Sequence, residues 1–152
     1  AFTRQHTSKS PNPLTEPENL TLDFQTEDLK SDTNEDQEAE VLQEHEYLRS
    51  KISEIEENFL FVCGEEPLRD KRVLREIGIT HVLNCAALQC QNHFVDDADV
   101  VYQGLSMEDS PLEDINSFIY PALHFIEEAI EGKGKILIHC SAGVSRSCAI
   151  TI

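Results

Sequence analysis

The chain has 152 residues, a formal net charge of −17 and 5 cysteines, a length that fits one domain and leaves little for a second. No apolar run reaches the roughly 18 residues that span a bilayer, and no charged-then-apolar leader opens the sequence, so neither a membrane span nor secretion is expected. The acidity is shared between residues 1–50 and 51–152 without a basic patch, which argues against nucleic acid and anionic membrane as partners.

Residues 1–50 read as a disordered acidic tail. They are rich in Ser, Thr, Pro and Asn up to Pro17 and mostly acidic from Glu27 to Glu46. Such a stretch buries too little apolar surface to offset its ordering entropy. A short helix near Glu38–Arg49 is the most that it offers. A kinase-docking segment would want basic residues clustered near paired aliphatics, and none is present.

The pattern changes at Lys51, where the one folded domain, 51–152, begins. Phe59-Leu60-Phe61-Val62-Cys63 is a continuous apolar run ending at Gly64 and predicts a buried strand. Pro67 suits a first helical position and Gly78 the residue past a helix end, with Leu68, Val73, Leu74 and Ile77 as the stripe between them. Thr80–Cys85 is the next strand and Val100–Leu105 another. Asp114 can cap a helix whose apolar positions run from Ile115 to Ile130 at helical spacing. Pro121 inside it should kink it or remove a hydrogen bond. Lys135-Ile136-Leu137-Ile138-His139 is a short apolar strand. Strands alternating with helices predict an α/β domain with a mostly parallel central sheet flanked by helices. Ligands of such sheets sit at the carboxyl ends of the strands, and the last strand delivers Cys140 there.

The cysteines Cys63, Cys85, Cys90, Cys140 and Cys148 have no repeated spacing and no C-x2-C pair. That argues against a disulfide framework and against zinc, and for a reducing intracellular setting in cytoplasm or nucleus.

The strongest signal is His139-Cys140-Ser141-Ala142-Gly143-Val144-Ser145-Arg146-Ser147. A cysteine, five residues, an arginine and a hydroxyl stand between a buried strand and the start of a helix. Small residues and Gly143 let the backbone curl until several N–H groups converge, forming an anion nest over Ser141 to Arg146. Arg146 is always charged and can grip two phosphate oxygens with its planar fork. The same field favours a thiolate at Cys140, the form that attacks phosphorus. The Ser147 hydroxyl can then help the sulfur leave. His139 is expected to orient the loop by hydrogen bonds; His81 and His124 read as structural.

These residues resemble the protein tyrosine phosphatase superfamily, and within it the dual-specificity phosphatases. Ala142–Ser147 and Gly78-Ile79-Thr80-His81-Val82-Leu83-Asn84 are typical of that class. Asp109-Ser110-Pro111 followed by Glu113-Asp114-Ile115 looks most like plant-type MAP kinase phosphatases. The resemblance covers roughly residues 52–152. It implies the cysteine-phosphatase fold, neither metal nor organic cofactor, and phosphotyrosine and phosphoserine/threonine proteins as substrates, MAP kinases first among them. It also implies further helices after Ile152, so the sequence reads as truncated at its C-terminus.

Cleavage of the ester needs a proton for the leaving oxygen and later a base for water. Glu108, Asp109, Glu113 and Asp114 are the candidates. Asp114 is better used as a cap, and Asp109 falls at the general-acid position that the resemblance implies, with Glu108 as the fallback. Cys85 ends its strand as Cys140 ends the last one, and the resemblance also points to it as a redox partner of Cys140; Cys90 and Cys148 compete for that place, and a small buried apolar residue is the plain alternative for Cys85. Three other readings compete. A silent phosphoprotein-binding module would usually have lost the cysteine, arginine or acid. An inositol-lipid or RNA phosphatase would carry lysines in the loop, and residues 141–145 have none. A sulfur-transferase usually has another loop length.

Overall fold

A computed structural model of the protein describes residues 32–94 and 96–152. In chain order it contains α1 (Asp32–Ser50), β1 (Ser53–Glu56), β2 (Leu60–Cys63), a 3-10 turn (Glu66–Arg69), α2 (Lys71–Ile77), β3 (His81–Asn84), β4 (Val101–Gly104), α3 (Asn116–Glu131), β5 (Ile136–His139) and α4 (Arg146–Thr151). The strands form one sheet in the order β1-β2-β5-β3-β4. β2, β5, β3 and β4 run parallel, and β1 joins antiparallel at one edge. The α/β class and the mostly parallel sheet are as the sequence predicts.

β5 takes the centre because it is apolar on both faces. Ile136 and Ile138 point to one side, where Val62, Leu83 and α3's Ala122, Phe125 and Ala129 meet them. Leu137 points to the other, against Phe61, Val82 and α2's Val73 and Leu74. Side chains alternate along a strand, so only a continuous apolar run can fill two cores at once. Truncating any of the three to alanine costs about 2–5 kcal/mol at such sites.

The helix predicted from Pro67 to Gly78 is two pieces. Pro67 opens a 3-10 turn, and Asp70, in extended conformation, breaks it and caps α2 by accepting the Arg72 N–H. Asp70 carries the side-chain oxygen that the orphan donors of a helix start require. Gly78 ends α2 in the left-handed region at φ 81°, as its place after the stripe predicts. Asp114 accepts the Asn116 N–H at the start of α3. Pro121 lies inside α3 without ending it.

Two features depart from the sequence reading. β1, whose four residues are all exposed, carries no apolar alternation and was not expected as a strand. The tail expectation over residues 1–50 is corrected for its second part: residues 32–50 form α1 rather than disorder, and the short helix expected near Glu38–Arg49 lies within it. Two side chains explain the docking. Leu48 is buried with Ile52 in the α2 core, and the His45 ring meets Glu76 at 2.7 Å and Asp70 at 3.6 Å. The stretch up to Pro17 lies outside the described residues. Among the described residues no helix is long and apolar enough to cross a membrane.

Candidate active site

β5 stops at His139 and the chain turns at once into the loop that ends at Arg146, the first residue of α4. Two glycines make the turn possible. Gly143 has φ 73°, and a Cβ there would lie 2.6 Å from the Cys63 carbonyl carbon and the Gly64 nitrogen. A Cβ on Gly64 would stand 3.0 Å from the Ser141 oxygen. The loop therefore leans on the end of β2 backbone to backbone, and the Glu65 N–H donates to the Ser141 carbonyl at 3.1 Å. Any larger residue at 143 would have to adopt a left-handed conformation and also displace main chain.

Cys140 is 2% exposed at the floor of this loop. The Gly143 N–H donates to its Sγ at 3.2 Å, and the Ser147 hydroxyl stands at 3.2 Å. Burial pushes the thiol up. The Ser147 hydroxyl and the N–H groups of Ser147, Gly143 and Val144 outweigh it, so the thiol sits below its ordinary value. Hydrogen bonds to the charged form are the cause, first from the Ser147 hydroxyl and then from backbone N–H groups of the loop and of the start of α4.

Arg146 is buried. Its Nη1 donates to Gln89 Oε1 at 2.7 Å and to the Met107 carbonyl at 3.2 Å, and its Nη2 donates to Ser141 Oγ at 3.1 Å. Its Nε has no partner among the described residues. Asp109 overhangs the loop. Its Oδ1 accepts from Ser145 Oγ at 3.1 Å, and its Oδ2 is 3.6 Å from Arg146 Nη2. Glu113 is engaged by the Glu108 N–H at 2.6 Å and Asp114 by the start of α3. Of the four acidic candidates, Asp109 is the one in contact with loop side chains. Met107, Asp109, Pro111, Ile115 and Arg146 line a cleft of about 390 Å³ beside it.

The remaining candidates are placed as follows. Ser141, Ala142, Val144 and Ser145 are exposed along the rim. His139 is fully buried, and neither ring nitrogen makes a well-formed hydrogen bond among the described residues. Burial pushes its pKa down to about 4, against the smaller opposing effect of a hydrogen bond to the Cys140 backbone. His81 stacks edge-on against Phe125 at 5.6 Å. Cys85 follows β3, directly across the ladder from Cys140, because Asn84 pairs with His139. Its thiol is buried and is pushed up to about 12 by that burial and by the charge of Cys140. No cluster of three or more His, Cys, Asp or Glu suited to a metal ion occurs among the described residues.

Sequence reasoning missed Gln89 and the Met107 carbonyl as partners of Arg146. A main-chain acceptor leaves no mark in a sequence, and a single glutamine on a loop has neither period nor spacing to single it out.

Known proteins resemble this chain in sequence and in fold. The dual specificity phosphatase catalytic domain matches residues 60–152. Protein-tyrosine-phosphatase MKP1 of Arabidopsis thaliana is 40% identical over 93 residues, which is 61% of this chain and 12% of that protein. Human dual specificity protein phosphatase 13B is 36% identical over 101 residues, 61% of this chain and 50% of that protein. The chain thus spans half or less of these relatives. Among solved structures, human tyrosine phosphatase-like serine/threonine/tyrosine-interacting protein superposes with a TM-score of 0.58 at 29% identity, covering 66% of this chain and 68% of that one. A mouse dual specificity phosphatase complexed with zinc tungstate gives 0.59 at 24% identity, over 66% and 60%. The matched span begins at β2 and holds the whole of the loop from Cys140 to Ser147: the chain belongs to the family of dual specificity phosphatase catalytic domains.

Proposed function

We propose that this chain is the catalytic domain, taken as residues 51–152, of an intracellular cysteine-dependent phosphatase. It hydrolyses phosphotyrosine and phosphoserine/threonine in proteins through a phospho-cysteine intermediate. The observation that carries the reading is the Cys140 sulfur, buried yet held below its ordinary pKa by the Ser147 hydroxyl and loop N–H groups. MAP kinases are the substrate class favoured by the resemblance at Asp109-Ser110-Pro111 and Glu113-Asp114-Ile115 and by the relative named MKP1.

In the first step the Cys140 thiolate attacks phosphorus. The S–P bond forms as the P–O ester bond breaks, and the leaving oxygen takes the Asp109 proton. The loop N–H groups and Arg146 hold the three equatorial oxygens as charge builds on them. In the second step the Asp109 carboxylate takes a proton from water, the water oxygen bonds to phosphorus and the S–P bond breaks. The Ser147 hydroxyl hydrogen-bonds the returning thiolate. Phosphate leaves, and no metal is required.

The neighbour named phosphatase-like gives the rival reading, a module that binds phosphoprotein without turning it over. Against it stand Cys140, Arg146 and Asp109 around one loop. Turnover of p-nitrophenyl phosphate and of a doubly phosphorylated kinase peptide decides. We expect turnover that Cys140→Ser abolishes while tungstate still binds, and an Asp109→Ala loss that grows as the leaving group becomes more basic. Tungstate binding with no turnover by the unmutated chain would establish the rival. An equal Asp109→Ala loss across the leaving-group series would remove Asp109 from proton transfer.

A further inference from the structure

The geometry points to Gln89 as the residue that positions the Arg146 guanidinium for the incoming phosphate. This inference rests on the phosphate-loop reading above and adds to it a residue outside the loop. A guanidinium has five N–H donors in one plane, two of them on each terminal nitrogen. Both acceptors on Nη1 are protein oxygens, Gln89 Oε1 at 2.7 Å and the Met107 carbonyl at 3.2 Å. Two acceptors on one terminal nitrogen fix the plane as well as the position of the fork. Nη2 then reaches Ser141 Oγ at 3.1 Å, and Nε is left buried and without a partner among the described residues. A buried orphan donor is costly unless an acceptor arrives, and a phosphate oxygen is the acceptor that this site is built to receive. Without Gln89 the fork would keep the Met107 carbonyl, Ser141 Oγ and, at 3.6 Å, Asp109 Oδ2, but would lose the shortest of its contacts.

Gln89 can do this because its own loop is held from several sides. The Cys85 N–H donates to the His139 carbonyl at 2.7 Å, which ties the loop's start to the strand that carries Cys140. Asn84 then spans the turn: its Oδ1 accepts from the Ala86 N–H at 2.8 Å and its Nδ2 donates to the Cys90 carbonyl at 3.2 Å. The N–H groups of Gln89 and Cys90 both donate to the Ala86 carbonyl at 2.8 Å. Beyond the turn, Glu65 Oε1 accepts from the Gln91 N–H at 3.3 Å. Gln89 is thus an exposed side chain on a rigid turn, and its carboxamide oxygen faces Arg146 and, at 3.4 Å, the Ser141 hydroxyl. An amide suits the place better than a carboxylate, since it accepts from Arg146 without adding a negative charge where a phosphate dianion must come.

The test uses Gln89→Met, which keeps length and removes the acceptor, and Gln89→Glu, which keeps the acceptor. Tungstate affinity by calorimetry requires no turnover and so reads the positioning separately from the phosphatase reading. We expect Gln89→Met to weaken tungstate and to lower kcat/KM for p-nitrophenyl phosphate, each by about tenfold, as for one hydrogen bond to a charged group. The melting temperature should hold, because the side chain is exposed. Gln89→Glu should recover affinity at low pH, where the added carboxyl is neutral, and lose it as that carboxyl ionises. In an Arg146→Lys background Gln89→Met should change tungstate affinity by less than about twofold, since the group that it positions is gone. Tungstate affinity within twofold of the parent in Gln89→Met would overturn the inference. So would tighter binding, which would make Gln89 a competitor of the phosphate, or an undiminished loss in the Arg146→Lys background. A parent chain that binds tungstate but turns over no substrate defeats only the phosphatase reading; one that binds no tungstate defeats both.

Discussion

Cys140 and Cys85 stand side by side on adjacent parallel strands, and the charge on one raises the pKa of the other. That coupling gives the proposed redox pairing a definite order of events. Peroxide converts the Cys140 thiolate to a sulfenic acid, with hydroxide as the other product. The sulfenic acid is neutral, so the charge that helped to keep Cys85 protonated is gone. The Cys85 sulfur then attacks the Cys140 sulfur, the S–S bond forms and water leaves. Burial still holds the Cys85 thiol high, so the second event should be slower than the first and faster at pH 8 than at pH 6.5. Peptide mapping after mild peroxide should find Cys140 as a sulfenic acid early and a Cys85–Cys140 linkage later. Cys140 passing to sulfinic acid while Cys85 stays free would sink the pairing. At this scale the sequence was informative where chemistry needs a fixed spacing, as between Cys140, Arg146 and Ser147. At His139 the expected hydrogen bonding to the loop comes down to one link to the Cys140 backbone. The sequence was silent at Gln89, whose partner is reached only after the chain has folded.

Among the elements, α1 is the one whose reading changed most. Its composition is acidic and polar, and intrinsic signals of that kind point to disorder. What docks it is two residues near its end, Leu48 in the α2 core and His45 between Glu76 and Asp70. Two contacts give no periodic stripe, so the pattern that identified α3 offered for α1 no more than a short helix near Glu38–Arg49. The docking should depend on pH. The hydrogen bond to Glu76 raises the His45 pKa, burial works against it, and Asp70 adds to the rise; Arg72, paired with Asp70, is the positive charge nearby. The histidine is charged more readily in the docked state than in the undocked one. Its contribution is therefore fully present below the ordinary value of about 6.5 and is lost as pH rises through the raised value. Amide protection of residues 44–50, corrected for intrinsic exchange, should fall over that interval, while the amides of β5 should not respond. His45→Gln should flatten the dependence. Protection that stays constant from pH 6 to 9 in the unmutated chain would show that Leu48 holds α1 without the histidine.

For the molecule as a whole, the parallel core of the sheet was legible because β2 and β5 are apolar runs and β3 carries the buried pair Val82 and Leu83 between polar ends. The antiparallel edge strand β1 was not, because its side chains are all exposed and its pairing is made by backbone alone. The order β1-β2-β5-β3-β4 has a consequence for how the protein comes apart. β5 is laddered on both sides, and no edge of the sheet can peel it away without first separating a neighbour. The sulfur and its N–H cradle hang from that strand, whereas Asp109 sits on a half-exposed loop held to the cradle through Ser145 and Arg146. Local openings come first where contacts are few. In a urea titration the two halves of the chemistry should therefore be lost in sequence. Turnover of substrates with basic leaving groups, which the proposed mechanism assigns to Asp109, should fade at concentrations where tungstate is still bound. Anion binding should disappear only with the β5 amides, in the global transition. A chain partway along that titration would still capture phosphate and would no longer release the alcohol, which makes denaturant a means of separating recognition from reaction without changing a residue.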